Sequence, residues 1–309
     1  MTERPVIVIT GPTATGKTAL GVELALALNG EVVSADSMQV YRGMDIGTGK
    51  VTAEEARGVR HHMIDIAEPE ESFSAAAWVQ LAAECVEDIF ARGKTPLIVG
   101  GTGLYIDSLL LGRDFAERGD ERVRAELNEE YDRVGGEEML RRLAEVDPRR
   151  AEVLHSGDKR RIVRALEIFR LTGETMTAHD ERTRLAPPRW PCRKYALTFS
   201  ERQTLYDRID RRVDKMAEDG LFDEVRRLLT RGLGAQHTSM QAIGYKEAAL
   251  AAAGQMTEVE ALELIKLRSR RYAKRQLTWL RRDDSVRWLC REGTETDTQA
   301  AVKKIMSDI

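Results

Sequence analysis

The chain is poor in cysteine, and the three it has, Cys85, Cys192 and Cys290, are odd in number and far apart. Neither a disulfide framework nor a C-x-x-C zinc pattern can be built from them, so they read as reduced, structural thiols. No apolar run approaches the ~18 residues of a membrane span, and the strand that follows Met1-Thr2-Glu3-Arg4-Pro5 is too short for a secretion-signal core. A cytoplasmic location is the expectation. Internal repeats and low-complexity segments are missing, and no obligate protein partner is evident, so a monomer is expected. Neither sign of charge dominates, with a net charge of −3. What the chain does have is size: 309 residues, 42% of them hydrophobic, can bury a sizeable core. At ~150 residues per domain they suggest about two units.

The most informative stretch is Gly11-Pro12-Thr13-Ala14-Thr15-Gly16-Lys17-Thr18. It fits the G-x-x-x-x-G-K-[ST] pattern of a phosphate-binding loop and follows a β-branched run, Val6–Thr10, as that pattern requires. Small residues let backbone N–H groups turn inward around phosphate oxygens, and the next helix adds its positive end. Lys17 supplies a mobile cation, and the Thr18 hydroxyl is placed to ligate Mg²⁺. A diphosphate or triphosphate is the expected ligand.

The order of elements predicts an α/β fold. A helix over Thr18–Leu28 follows the loop, and Glu31–Ala35 reads as a second strand ending at Asp36. In open parallel sheets ligands collect at the carboxyl ends of strands, so Asp36 and the phosphate loop should share one crevice, although a turn or helix-capping aspartate would look the same. Tyr41–Lys50, with Gly43, Gly47 and Gly49, reads as a flexible active-site loop. His61–Ile66 reads as a strand whose adjacent histidines face opposite ways, which favours hydrogen-bonded structural roles over a metal site. A helix over Ser74–Ala91 and a strand over Thr95–Val99 follow. The strand ends in Gly100-Gly101-Thr102-Gly103-Leu104-Tyr105, where glycines suit either a close ligand or a tight turn.

From Arg113 to about Arg184 the chain turns charge-rich and helical, and Lys194–Phe199 then resumes the sheet. Helices over Glu201–Asp219 and Leu221–Arg231 come next. Between Leu264 and Arg291 ten Lys/Arg face only Asp283 and Asp284, a local charge of +8. On this basic helix Ile265, Tyr272 and Trp279 form a packing face, while Arg268, Arg271, Arg275 and Arg282 form a separate row. Such a patch suits a phosphodiester partner, and a solvated helix face is the alternative. The end from Glu292 onward is polar and uninformative. The expected architecture is a P-loop NTPase-like core with a central parallel sheet flanked by helices, over residues 1–114 and 189–309. An all-helical insertion occupies 115–188.

Several separated blocks together resemble the tRNA dimethylallyltransferases, or tRNA isopentenyltransferases, of the bacterial, single-core type. They are the phosphate loop, Ser34-Ala35-Asp36-Ser37-Met38-Gln39-Val40-Tyr41-Arg42-Gly43-Met44-Asp45-Ile46-Gly47-Thr48, His61-His62-Met63-Ile64-Asp65, Val99–Tyr105, Ala242-Ile243-Gly244-Tyr245-Lys246 and Lys274-Arg275-Gln276-Leu277-Thr278-Trp279-Leu280-Arg281. Thr15 stands where the family often has Ser, another small hydroxyl residue. The cysteine count leaves no room for the zinc finger that eukaryotic relatives can carry.

The resemblance implies transfer of a dimethylallyl group from dimethylallyl diphosphate to N6 of the adenosine 3′-adjacent to the anticodon, with Mg as cofactor and the anticodon stem-loop as partner. Asp36 would then be the general base. The loop Gly11–Thr18 and Arg212, which matches the family's diphosphate-contacting arginine, would hold the leaving group, unless Arg212 makes only a surface ion pair. Asp36, Ser37, Met38, Gln39 and Thr102 would meet the adenosine. Arg124, Arg160, Arg161 and Arg164 of the insertion would clamp the arm, and Gln241, Gly244, Tyr245, Lys246, Arg271 and Arg275 would complete the tRNA contacts. A kinase of a nucleoside or small metabolite remains the main alternative, although the strand before Gly100 lacks a terminal Asp for Mg²⁺. An adenylate isopentenyltransferase and a non-catalytic RNA-binding protein are the others. The extended basic segment argues against the former, since a mononucleotide has no use for it.

Overall fold

The computed structural model describes residues 5–112, 119–184, 187–292 and 297–309. The chain divides into two compact units, one of residues 1–109 with 190–309 and one of residues 110–189. The expected boundary at 114/115 lies outside the described residues.

The first unit is built on a six-stranded sheet of β1 (Val6–Thr10), β2 (Gly30–Ala35), β3 (His61–His62), β4 (Thr95–Gly100), β5 (Cys192–Phe199) and β6 (Val286–Arg291). Their spatial order is β3-β2-β4-β1-β5-β6, and every pairing is parallel. A parallel sheet must be covered on both faces, which is why Val6–Ile9 reads as an unbroken apolar run. Ile7 and Ile9 join Leu20 and Leu24 of the Lys17–Ala27 helix, with Leu97, Val99, Tyr195 and Leu197 from neighbouring strands. On β5 the alternate residue, Ala196, packs instead with Leu280 and Val286. This is the P-loop-like α/β architecture expected from the sequence.

Three readings need correction. The β3 strand stops after His62 because Met63 and Asp65 take left-handed backbone, with φ of 65° and 55°. His61 Nδ1 and His62 Nε2 are held by Val59 O and Glu31 Oε2. Tyr41–Lys50 is braced: Glu224 accepts from the N–H groups of Asp45, Ile46 and Gly47, and Lys50 Nζ donates to Tyr41 O, Asp45 and Asp65. The basic segment is two elements, a helix over Glu258–Leu280 and then β6, and a helix over Asp297–Met306 follows. That last helix puts Ala301 and Ile305 into the core beside the Lys17–Ala27 helix. Its apolar residues, Ala300, Ala301, Val302, Ile305 and Met306, sit in a short polar-flanked stretch whose periodicity is too brief to announce a helix.

The second unit is helical, with helices over Glu121–Val134, Gly136–Val146, Pro148–Glu152, Lys159–Thr172 and Met176–Arg184. It has its own core of Leu127, Met139, Leu143, Ile162, Val163 and Ala165. Asp147 caps the Pro148–Glu152 helix through Arg150 N–H and also accepts from the N–H and hydroxyl of Thr177, which ties the last helix to the third. Among the described residues of both units, no helix is long and apolar enough to cross a membrane.

Candidate active site

Because the sheet is parallel, β1, β2 and β4 all deliver their carboxyl ends to one edge, and that edge gathers the phosphate loop, Asp36 and Gly101-Thr102. Gly11 opens the loop with φ of 135°, and a Cβ there would strike the Leu197 carbonyl of β5, so only glycine fits. Thr15 is fully buried and its hydroxyl donates to Pro12 O at 2.8 Å. Lys17 Nζ donates to the same carbonyl at 2.8 Å. Burial, with Arg212 nearby, brings the Lys17 ammonium down to about 7, and Asp36 partly offsets this. Thr18 lies exposed in the first turn of the helix, its hydroxyl without a partner among the described residues.

Asp36 is half-buried, and its Oδ1 accepts from Met38 N–H at 2.9 Å, which fixes the carboxylate at the start of a turn. Arg212 donates through Nη2 to Thr48 O at 3.3 Å. Burial lowers its affinity for a proton, and the charge of Asp36 works against that effect. The helix-surface alternative for Arg212 is therefore set aside, since it points inward at the braced loop. Ser34 Oγ donates to Gln39 Oε1, and Gln39 Nε2 reaches the carbonyls of Thr48 and Gly49. Thr102 Oγ1 accepts from Ser37 N–H at 3.3 Å. One carboxylate and two cations thus converge beside a set of loop N–H groups, an arrangement suited to holding a polyanion while a proton is removed beside it.

Other expected residues stand apart from this edge. Tyr245 is fully buried and its hydroxyl donates to Glu224, so it supports the Tyr41–Lys50 loop from beneath and is not exposed to RNA. Gly244, with φ of 101°, caps the Tyr245–Ala252 helix, and its N–H donates to Glu247. Gln241 and Lys246 are exposed. In the helical unit Arg124 and Arg164 pair with the buried Glu167 at 3.0 and 2.9 Å, whereas Arg160 and Arg161 are exposed without an ion pair among the described residues.

The basic segment divides in the same way. Lys266 pairs with Asp214, Arg268 with Glu247, Arg270 with Asp210, Arg287 with Asp308 and Arg291 with Asp297. Arg271, Lys274, Arg275, Arg281 and Arg282 are exposed and carry no such pair among the described residues. Of the expected packing face, Trp279 is partly exposed, although its Nε1 donates to Asp107.

Sequence reasoning missed the residues that brace the loop from behind. Arg208 Nε donates to the carbonyl of Ala14, whose φ of 64° is unusual for a residue with a Cβ, and Arg291 Nη1 donates to Thr15 O at 2.7 Å. Gln276, bonded to Thr13 N–H and Gly101 O, was missed as well. The spacing of 272, 276 and 279 on one stripe was a signal, but it reads equally as ordinary packing.

The sequence pattern of the IPP transferase family matches residues 39–283. The chain belongs to the tRNA dimethylallyltransferase family. It is 49% identical to the tRNA dimethylallyltransferase of Desulforudis audaxviator over 92% of its own length and 91% of that protein. With the one from Oceanobacillus iheyensis it shares 45% over 98% and 96%. The full-length tRNA isopentenylpyrophosphate transferase of Bacillus halodurans superimposes with a TM-score of 0.73 at 44% identity, over 98% of this chain and 96% of that one. A eukaryotic dimethylallyltransferase captured acting on tRNA gives 0.83 at 30% identity, over 98% and 78%. Family membership removes the kinase and the non-catalytic RNA-binding alternatives: the chain is a prenyltransferase.

Proposed function

We propose that the chain transfers a dimethylallyl group from its diphosphate to N6 of the adenosine next to the anticodon of tRNA, in the cytoplasm, with Asp36 as general base. The observation that carries this reading is the convergence of Lys17, Arg212 and Asp36 at one sheet edge. An adenine amino group is a weak nucleophile because its lone pair is delocalised. As N6 bonds to the allylic carbon, the carbon–oxygen bond to diphosphate breaks and the N6 proton passes to the Asp36 carboxylate. Charge then builds on the departing diphosphate. Lys17, Arg212 and the inward N–H groups of Gly11–Thr18 hold that charge, and Lys17 regains its full positive charge beside an anion.

The Thr18 hydroxyl, without a partner among the described residues, would hold a Mg²⁺ ion. Bound there, the ion would neutralise charge on the leaving group. The adenosine must leave the anticodon-loop stack, at a cost of a few kcal/mol that is lower in a single-stranded loop. Ser37, Met38, Gln39 and Thr102 line the edge it would enter. Arg271 and Arg275, with Arg160 and Arg161 of the helical unit, are cations left over for RNA phosphates, and Gln241 and Lys246 are further exposed candidates. Arg124 and Arg164 can reach RNA only while remaining paired to Glu167.

Incubation with labelled dimethylallyl diphosphate and total tRNA tests the reading. Label should appear on tRNA, and label on free AMP would instead indicate an adenylate isopentenyltransferase. The exposed cations favour the former, because a mononucleotide has no use for so extended a surface.

A further inference from the structure

The inward face of the Glu258–Leu280 helix reaches the reaction site through Gln276. Gln276 is buried; its Oε1 accepts from Thr13 N–H at 3.0 Å and its Nε2 donates to Gly101 O at 2.9 Å. Its amide therefore staples the phosphate loop to the turn after β4. The approach is so close that a Cβ on Gly101 would collide with the Gln276 amide nitrogen. The next residue of that turn is Thr102. Thr102 in turn accepts from Ser37 N–H and donates its own N–H to Ala35 O, on either side of Asp36. Trp279, one turn past Gln276, donates to Asp107 at 2.7 Å and fixes the register of the stripe.

The sheet cannot do this job unaided. β4 lies between β1 and β2, so no strand pairing joins the phosphate loop directly to the Asp36 segment. Gln276 contacts the phosphate loop at Thr13 and, at Gly101, the turn whose next residue is bonded to Ser37 and Ala35. We propose that Gln276 is a positioning residue for prenyl transfer. Its amide holds the phosphate loop to the turn that Thr102 ties to the Asp36 segment, so that one side chain fixes the distance from leaving diphosphate to base. The inference rests on the transferase reading above. Leaving group and base act on opposite sides of one forming bond, and a misplacement of about 1 Å can cost about 100-fold in rate.

Gln276→Met tests the role. It is assayed for kcat, for KM toward dimethylallyl diphosphate and tRNA, and for melting temperature, with inorganic diphosphate binding measured by calorimetry. The variant should raise the diphosphate Kd and the dimethylallyl diphosphate KM about tenfold, the worth of one anchoring hydrogen bond, with KM for tRNA within about twofold. Should Gln276→Met not fold, Gln276→Asn keeps the amide but is one methylene short, and the same rise in diphosphate Kd is expected of it. Wild-type constants in the variant, or parallel losses that merely follow the melting temperature, overturn the positioning role while the transferase reading stands. A wild-type chain that labels no tRNA overturns both.

Discussion

Strand β2 carries a carboxylate at each end, and the two are used in opposite ways. Glu31, at the amino end, is buried and receives Arg92, Lys94 and His62, so that every charge there is answered within the protein. Asp36, just past the carboxyl end, has one backbone N–H from Met38 and faces Lys17 and Arg212, which pair with no carboxylate among the described residues. The amino edge is self-neutralised, and the carboxyl edge sets one carboxylate beside two cations that no carboxylate pairs among the described residues. The Glu258–Leu280 helix repeats the contrast. Arg268 is committed to the buried Glu247, while Arg271, three residues on, faces solvent. On the proposed reading, the charges that serve function are those left without a counter-charge.

The sharpest test removes Asp36. Asp36→Ala should lower kcat by about 10²–10⁴, the usual worth of a positioned general base, with tRNA binding nearly intact and no loss of melting temperature. Full turnover by this variant, measured with saturating dimethylallyl diphosphate and tRNA, would take Asp36 out of the mechanism. The next effect in size belongs to a satisfied site. Arg268→Gln leaves Glu247 buried with only the Gly244 N–H, and a deserted buried charge costs about 3 kcal/mol of stability. Urea unfolding should report that loss, while the salt dependence of tRNA binding by the folded protein stays as in wild type.

Glu31→Gln should cost less, about 2 kcal/mol, because Arg92 and Lys94 are each about a third exposed and can turn toward water. Its pH dependence has a definite sign. The Arg92 guanidinium, aided by Lys94 and His62, holds the Glu31 carboxyl far below the usual range, against the opposing effect of burial. A carboxyl so depressed stabilises the fold fully above its unfolded value near pH ~4.3, and that contribution fades as pH falls toward the folded value. The gap between wild type and Glu31→Gln in urea should therefore be constant from pH 7 to about 5 and shrink below about 4. A gap that widens in acid would contradict the assignment, as would any change in kcat per folded molecule.

The same contrast explains what the sequence reveals. The phosphate loop was legible because its chemistry sits in eight consecutive residues and is carried largely by backbone, so spacing alone specifies it. Asp36 followed from its place at a strand end. Glu224, Arg208, Arg291 and Gln276 were not legible as supports of the site, because each acts on residues more than 170 positions away in the chain. The +8 count overstates the free charge of its segment for a related reason. Its charge count is real, but the carboxylates that consume half of it, on Asp210, Asp214, Glu247, Asp297 and Asp308, lie outside the segment. The Tyr41–Lys50 loop looked flexible from its glycines, and only the fold brings Glu224 beneath it.

The smallest expected effect is also the one that separates an exposed cation from a committed one on the same helix. Arg271→Gln removes a solvent-facing charge, so stability should stay within about 0.5 kcal/mol of wild type. If Arg271 neutralises an RNA phosphate, its loss releases fewer counterions on binding. The slope of log K against log salt should then flatten by about 0.7–0.9, and affinity should fall alike for every tRNA bound. Titrations of one tRNA between 50 and 200 mM salt compare Arg271→Gln with Arg268→Gln directly. The first should change slope without stability and the second stability without slope. Equal slopes for both would mean that the exposed row is merely hydrated, and that RNA phosphates are met by other cations.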